Sequence, residues 1–279
     1  MDALVTTEWL AGQLGGRDLR VLNASYFLPE HGRDAVAEHA AGHIPGAVFL
    51  DLKHVADSST SLPTMLPPIE KLASRMQALG VGDGCRIVIY DDTPLHSSAR
   101  AWWMLHVFGI PDVAILDGGL GKWKAEGRPI EGDASIPRPH HFTPRHAAEG
   151  VRTIAEMRKL VDRGGAQIVD ARSASRFAGL EPEARAGVVP GHIPGSRNLH
   201  YAKFFQPDGT WKRDGALRAV FENEGIDIEK PIAATCGSGV TAAIIVFAAH
   251  LLGQSADLYD GSWAEWGGDP DTPKAMGAA

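Results

Sequence analysis

The chain has 279 residues, 44% of them apolar and 22% charged, with a formal net charge of -7. This is globular composition, long enough for one large domain or two ordinary ones, and the acidic balance argues against a general binder of nucleic acid or anionic membrane. No stretch approaches the roughly 18 apolar residues needed to span a bilayer, and the first residues lack the basic region and apolar core of a signal peptide.

In chain order, the first strong signal is an apolar run over 19–22, suited to a strand buried on both faces. Gly42-His43-Ile44-Pro45-Gly46 follows, then a helical stretch over 69–79, a strand over 87–90 ending at Asp91, and a helix over 97–108. Leu116-Asp117-Gly118-Gly119 comes next, with Trp123 behind it. Residues 127–150 carry Pro129, Pro137, Pro139 and Pro144. Prolines fix φ and restrict the preceding residue, so this stretch reads as an extended, semi-rigid linker. Thr153 with Glu156 three residues later is a capping-box start for a helix near 153–163. A strand over 167–169, a second Gly191-His192-Ile193-Pro194-Gly195, a helix over 217–224, a strand over 232–235 and a helix over 241–252 complete the pattern. Tyr259-Asp260-Gly261-Ser262 closes it, with Trp266 behind.

These landmarks recur in the same order at an interval of roughly 145 residues, far too long for a solenoid repeat and long enough for a domain. Strands alternating with helices indicate α/β domains, each a mainly parallel sheet flanked by helices. The expected organisation is a first domain over 1–126, the linker over 127–150 and a second domain over 151–279. Asp91 in the first copy stands where Cys236 stands in the second.

Cys236 directly follows a strand and precedes a helix, the place where α/β sheets form their sites. The loop Cys236-Gly237-Ser238-Gly239-Val240-Thr241 carries two glycines, which let successive N–H groups curl toward one point. Unpaired donors and the dipole at the start of the next helix favour negative charge, hence a thiolate, the nucleophilic form of cysteine. Ser238 and Thr241 add hydroxyls to this anion cradle. Cys85 precedes a strand with no glycine cradle behind it and reads as structural. Two cysteines exclude a disulfide framework and point to a reducing, cytoplasmic setting. Twelve histidines occur, yet no His-Glu-x-x-His spacing does, and His140 and His141 lie among prolines, so neither a metal nor another cofactor is expected.

Over nearly its whole length the chain resembles the tandem rhodanese-like sulfurtransferases. The loop from Cys236 to Thr241 is similar to that of the mercaptopyruvate branch, and Gly237 and Ser238 stand where thiosulfate-type rhodaneses usually carry basic residues. The resemblance implies a silent first domain marked by Asp91, and a second in which Cys236 takes sulfur from a small anionic donor as a persulfide. It implies release of pyruvate from 3-mercaptopyruvate and delivery to a thiol such as reduced thioredoxin, or to cyanide. It also implies that Arg176 and Arg185 bind the donor, a task suited to the planar guanidinium fork, with a surface or structural ion pair to Glu181 or Glu183 in the same segment as the alternative. Arg172, after Asp170, reads as structural. The branch's acidic residue and histidine correspond to Lys53 and Thr64, which cannot form a proton relay with Ser238, so the preferred donor stays open. His43 and His54, nearby in sequence, read as structural or surface residues.

Three other readings are weighed. A thiosulfate:cyanide sulfurtransferase would gain from basic residues where Gly237 and Ser238 stand. A phosphatase of related fold needs an arginine six positions after the cysteine, where Ala242 stands. A non-enzymatic redox or interaction module has no need of an intact cradle.

Overall fold

Strands and helices alternate through the computed structural model, which describes residues 1–132, 138–143 and 149–278. They gather into two compact units, neither of them continuous in sequence. The first takes Met1–Asp57, Pro67–Ala147 and Phe205–Trp211; the second takes Ser58–Leu66, Ala148–Phe204 and Lys212–Ala279.

The first unit holds strands β1 (Leu4–Val5), β2 (Leu19–Asn23), β3 (Val48–Phe49), β4 (Arg86–Tyr90) and β5 (Val113–Leu116). Its helices are α1 (Thr7–Gln13), α2 (Ala35–Ala41), α3 (Leu52–Val55), α4 (Ile69–Ala78), α5 (Ser98–Val107) and α6 (Gly119–Ala125). The second holds β6 (Val151–Arg152), β7 (Gln167–Asp170), β8 (Arg197–Asn198), β9 (Ile232–Thr235) and β10 (Asp257–Tyr259). Its helices are α7 (Ile154–Arg163), α8 (Ala174–Phe177), α9 (Asp214–Glu222), α10 (Ala242–Leu251) and α11 (Ser262–Trp266).

Both sheets are parallel, and their strand orders are the same: β1-β5-β4-β2-β3 and β6-β10-β9-β7-β8. The α/β fold with two parallel sheets flanked by helices is the one expected from sequence. The apolar runs of β4, β5 and β9 are buried almost throughout because helices cover both faces of such a sheet. Short β1, β3, β6 and β8 escape a reading by periodicity, since two residues carry no period. The capping box is present: Thr153 Oγ1 accepts from Glu156 N–H while the Glu156 carboxylate accepts from Thr153 N–H.

The paired motifs close each unit in the same way. His43 exchanges backbone hydrogen bonds with Glu131, and His192 does so with Ala275, at 2.9–3.0 Å. Both imidazoles turn Nδ1 to a local carbonyl, of His39 and Phe177 respectively, so these histidines are buried structural groups. The indoles of Trp123 and Trp266 donate to the carbonyls of Pro129 and Pro273. Described parts of the proline-rich stretch therefore lie on the first unit: Phe142 is buried and Thr143 bonds Asp83. Pro137 and Pro144 lie outside the described residues.

Candidate active site

β9 ends at Thr235 and the wholly apolar α10 begins at Ala242, so the loop between them lies at the carboxyl edge of the second sheet. Helix α10 is buried along nearly all its length, which anchors the loop from behind. Cys236 itself is 1% exposed, while Gly237 and Ser238 are half-buried and Gly239, Val240 and Thr241 are buried. Gly239 has φ +76, a left-handed conformation that favours glycine and turns the chain back toward the helix.

The loop is bound from below by α11. Trp263 N–H donates to the Cys236 carbonyl and Ala264 N–H to the Gly237 carbonyl, each at 2.9 Å. Cys236 N–H donates to Ser262 Oγ at 3.2 Å, and that hydroxyl donates onward to the Tyr259 carbonyl at 2.9 Å. From its outer side, Thr64 Oγ1 donates to the Ser238 carbonyl at 2.5 Å, and Leu66 N–H donates to the Asp260 carboxylate at 2.7 Å. With its carbonyls so engaged, the loop leaves the N–H groups of Gly237, Ser238, Val240 and Thr241 with no acceptor among the described residues. Unpaired backbone donors at a strand-to-helix turn can hold an anion.

Arg176, on α8, comes to the loop. A Cβ built on Gly237 would stand 3.3 Å from Arg176 Nη2 and 3.5 Å from Nη1, so the missing side chain leaves room for the guanidinium. A cation thus reaches this loop from a neighbouring helix and not from the loop itself. Arg185 is exposed, and its side chain makes no ion pair or hydrogen bond among the described residues. Arg172 is buried beside Asp170 as a structural reading requires, with its guanidinium 4.7 Å from the Trp263 ring centre. Burial works against its charge, but Asp170, Glu183 and Cys236 raise its pKa overall.

Lys53 belongs to the first unit, where its ammonium lies 5.5 Å from the Tyr26 ring centre. His54, beside it, is exposed and 2.7 Å from Arg75 Nη2. Cys85 accepts from Gly82 N–H at 3.4 Å in a turn before β4. Among the described residues no group of three His, Cys, Asp or Glu side chains could hold a metal, and no helix is long and apolar enough to cross a membrane.

The corresponding loop of the first unit has the same support and a different centre. Leu120 N–H donates to the Asp91 carbonyl at 3.0 Å, as Trp263 does to Cys236. The Asp91 carboxylate, however, folds back and accepts from Ser98 N–H at 2.7 Å and from Thr93 N–H at 3.4 Å. Here the anion held at the start of the helix is part of the protein.

Sequence reasoning overlooked Ser262. Ser262 had a signal in the change from Asp117-Gly118-Gly119 to Asp260-Gly261-Ser262 between the copies. Glu183 lies in the segment of Arg176 and Arg185, where the sequence allows an ion pair, and the fold adds that it joins Arg176 to the buried Arg172.

Comparison with known proteins gives one family. A rhodanese-like domain model matches residues 29–126 and 153–269. Human 3-mercaptopyruvate sulfurtransferase is 40% identical over 95% of this chain and 91% of that protein. Bovine thiosulfate sulfurtransferase is 38% identical over the same shares of the two chains. The crystal structure of SseA from Escherichia coli, described there as a 3-mercaptopyruvate sulfotransferase, superposes with a TM-score of 0.86 at 35% identity, covering 94% of this chain and 99% of that one.

Proposed function

Because this chain belongs to the rhodanese-like family and is an enzyme of its sulfurtransferase kind, we propose that it moves a sulfane sulfur from 3-mercaptopyruvate through a persulfide on Cys236. The observation that carries this reading is the loop around Cys236, in which the N–H groups of Gly237, Ser238, Val240 and Thr241 have no acceptor among the described residues and against whose Gly237 lies the Arg176 guanidinium. In the first step the Cys236 thiolate attacks the donor sulfur. An S–S bond forms, the donor's C–S bond breaks, and its electron pair leaves in the enolate of pyruvate, which then takes a proton. In the second step a thiol such as reduced thioredoxin, or cyanide, attacks the outer sulfur, and the thiolate of Cys236 returns.

Gly237 to Thr241 hold the negative sulfur through backbone donors, and Arg176 with Arg185 clamps the donor's carboxylate and keto oxygen. Thr64 fixes the Ser238 peptide but is not a histidine, so the proton for the enolate comes from solvent or substrate. The first unit, with Asp91 in its loop, is the silent copy. Cytoplasmic thiols would keep Cys236 reduced between turnovers.

A second reading, use of thiosulfate, is favoured by Thr64 standing where the relay histidine belongs and by the bovine relative's name. Gly237 and Ser238, both uncharged, oppose it. The test is intact-mass analysis after incubation with each donor, followed by kcat/KM for both. One added sulfur on the native chain is expected, and none on Cys236→Ser, whose turnover falls by at least about 10⁴-fold. If neither donor adds sulfur to the native chain, the sulfurtransferase mechanism fails.

A further inference from the structure

Four charged side chains beneath the Cys236 loop form one continuous chain. Arg172 Nη2 donates to Asp170 Oδ2 at 2.7 Å, and its Nε reaches both carboxylate oxygens at 3.1 Å. Arg172 Nη1 then donates to Glu183 Oε1 at 3.0 Å, and Arg176 Nη2 to Glu183 Oε2 at 2.6 Å. The side chains of Asp170, Arg172 and Glu183 are 1%, 1% and 6% exposed, whereas that of Arg176, at the loop, is 34% exposed. Two cations and two anions cancel. The Arg176 charge at the mouth of the cradle is already shared with a buried carboxylate. The first unit has no such chain at the matching places, where Asn23, Ser25 and Tyr90 stand for Asp170, Arg172 and Thr235.

We propose that Glu183 sets donor specificity through Arg176. This rests on the sulfurtransferase reading above. By engaging Nη2, Glu183 holds the guanidinium plane in one orientation against Gly237 and leaves the Nη1 hydrogens to meet a planar carboxylate. Its charge also removes the surplus positive potential that a dianionic donor would draw on, while a monoanion held by directed hydrogen bonds depends on it less. Glu183 therefore favours 3-mercaptopyruvate over thiosulfate as a positioning residue that touches neither donor.

The experiment compares kcat/KM for the two donors in the native chain, Glu183→Gln and Glu183→Asp, with thermal unfolding as a check on folding. Glu183→Gln should lower the mercaptopyruvate-to-thiosulfate ratio by about tenfold or more. The loss should fall on KM for mercaptopyruvate, with thiosulfate use unchanged or improved. Glu183→Asp keeps the charge but shortens the arm, and should fall between the native chain and Glu183→Gln. An equal loss with both donors, which a purely structural role would produce, overturns the proposal, as does a raised ratio. Should Glu183→Gln not fold, a native ratio in Glu183→Asp overturns it and a lowered ratio sustains it. A native chain that gains sulfur from neither donor would instead sink the underlying sulfurtransferase mechanism.

Discussion

Ser262 holds a conformation that its side chain disfavours: it is fully buried at φ +49, in the left-handed region. Its counterpart in the first unit is Gly119, at φ +56, which adopts this backbone at little cost. The strain is kept where the Ser262 hydroxyl accepts the N–H of Cys236 and donates to Tyr259, so it fixes the backbone that carries the sulfur. Ser262→Ala keeps the strain and loses both bonds. It should lower kcat by roughly tenfold with little change in donor KM, since a lost buried hydrogen bond costs about 1–2 kcal/mol. Steady-state kinetics with saturating acceptor measure this. An unchanged kcat would leave Ser262 a packing residue.

Among the elements, the Gly-His-Ile-Pro-Gly segments decide closure, not chemistry. In the second, Gly191 has φ +124, and any Cβ there would run into the carbonyl oxygen of Ala275, to which the neighbouring His192 N–H donates. Backbone cannot yield as a flexible side chain can, so Gly191→Ala should destabilise the second unit by about 2–4 kcal/mol. Thermal unfolding followed by tryptophan fluorescence would report it, since Trp263 and Trp266 are buried in that core. The strand-to-helix grammar that located β2, β4, β7 and β9, with helices α4, α5, α7 and α10, was legible because each carries a full apolar period or a cap. The two-residue strands were not, because pairing with β2, β5, β7 and β10 makes them strands, not their own composition.

For the molecule as a whole, the two units share one strand order and one way of seating the loop, and differ in what fills it. A cavity of about 260 Å³ lies beside Asp91, lined in part by Asp92, His96 and Asp208. These carboxylates oppose an anionic donor, and Pro94 offers no N–H to a cradle. Exchanging the central residue should therefore not move the activity. Asp91→Cys introduced together with Cys236→Ser is expected to show neither an added sulfur by intact mass nor turnover above Cys236→Ser alone. Recovery of either would mean that Asp91 alone keeps sulfur from the first unit's loop.

Sequence alone determined the duplication and the parallel α/β architecture and pointed to Cys236 as the proposed nucleophile, because each is written locally: a recurring motif, an apolar period, a cysteine ahead of paired glycines. Tertiary structure decided the site's electrostatics. Arg172, Glu183 and Arg176 meet only because α8 and the following turn fold back under the loop, and Thr64 reaches Ser238 across 174 positions of sequence. Charge acts through space and not along the chain, so Glu183 is legible in sequence as an ion partner for its segment but not as the buried carboxylate that joins Arg172 to Arg176.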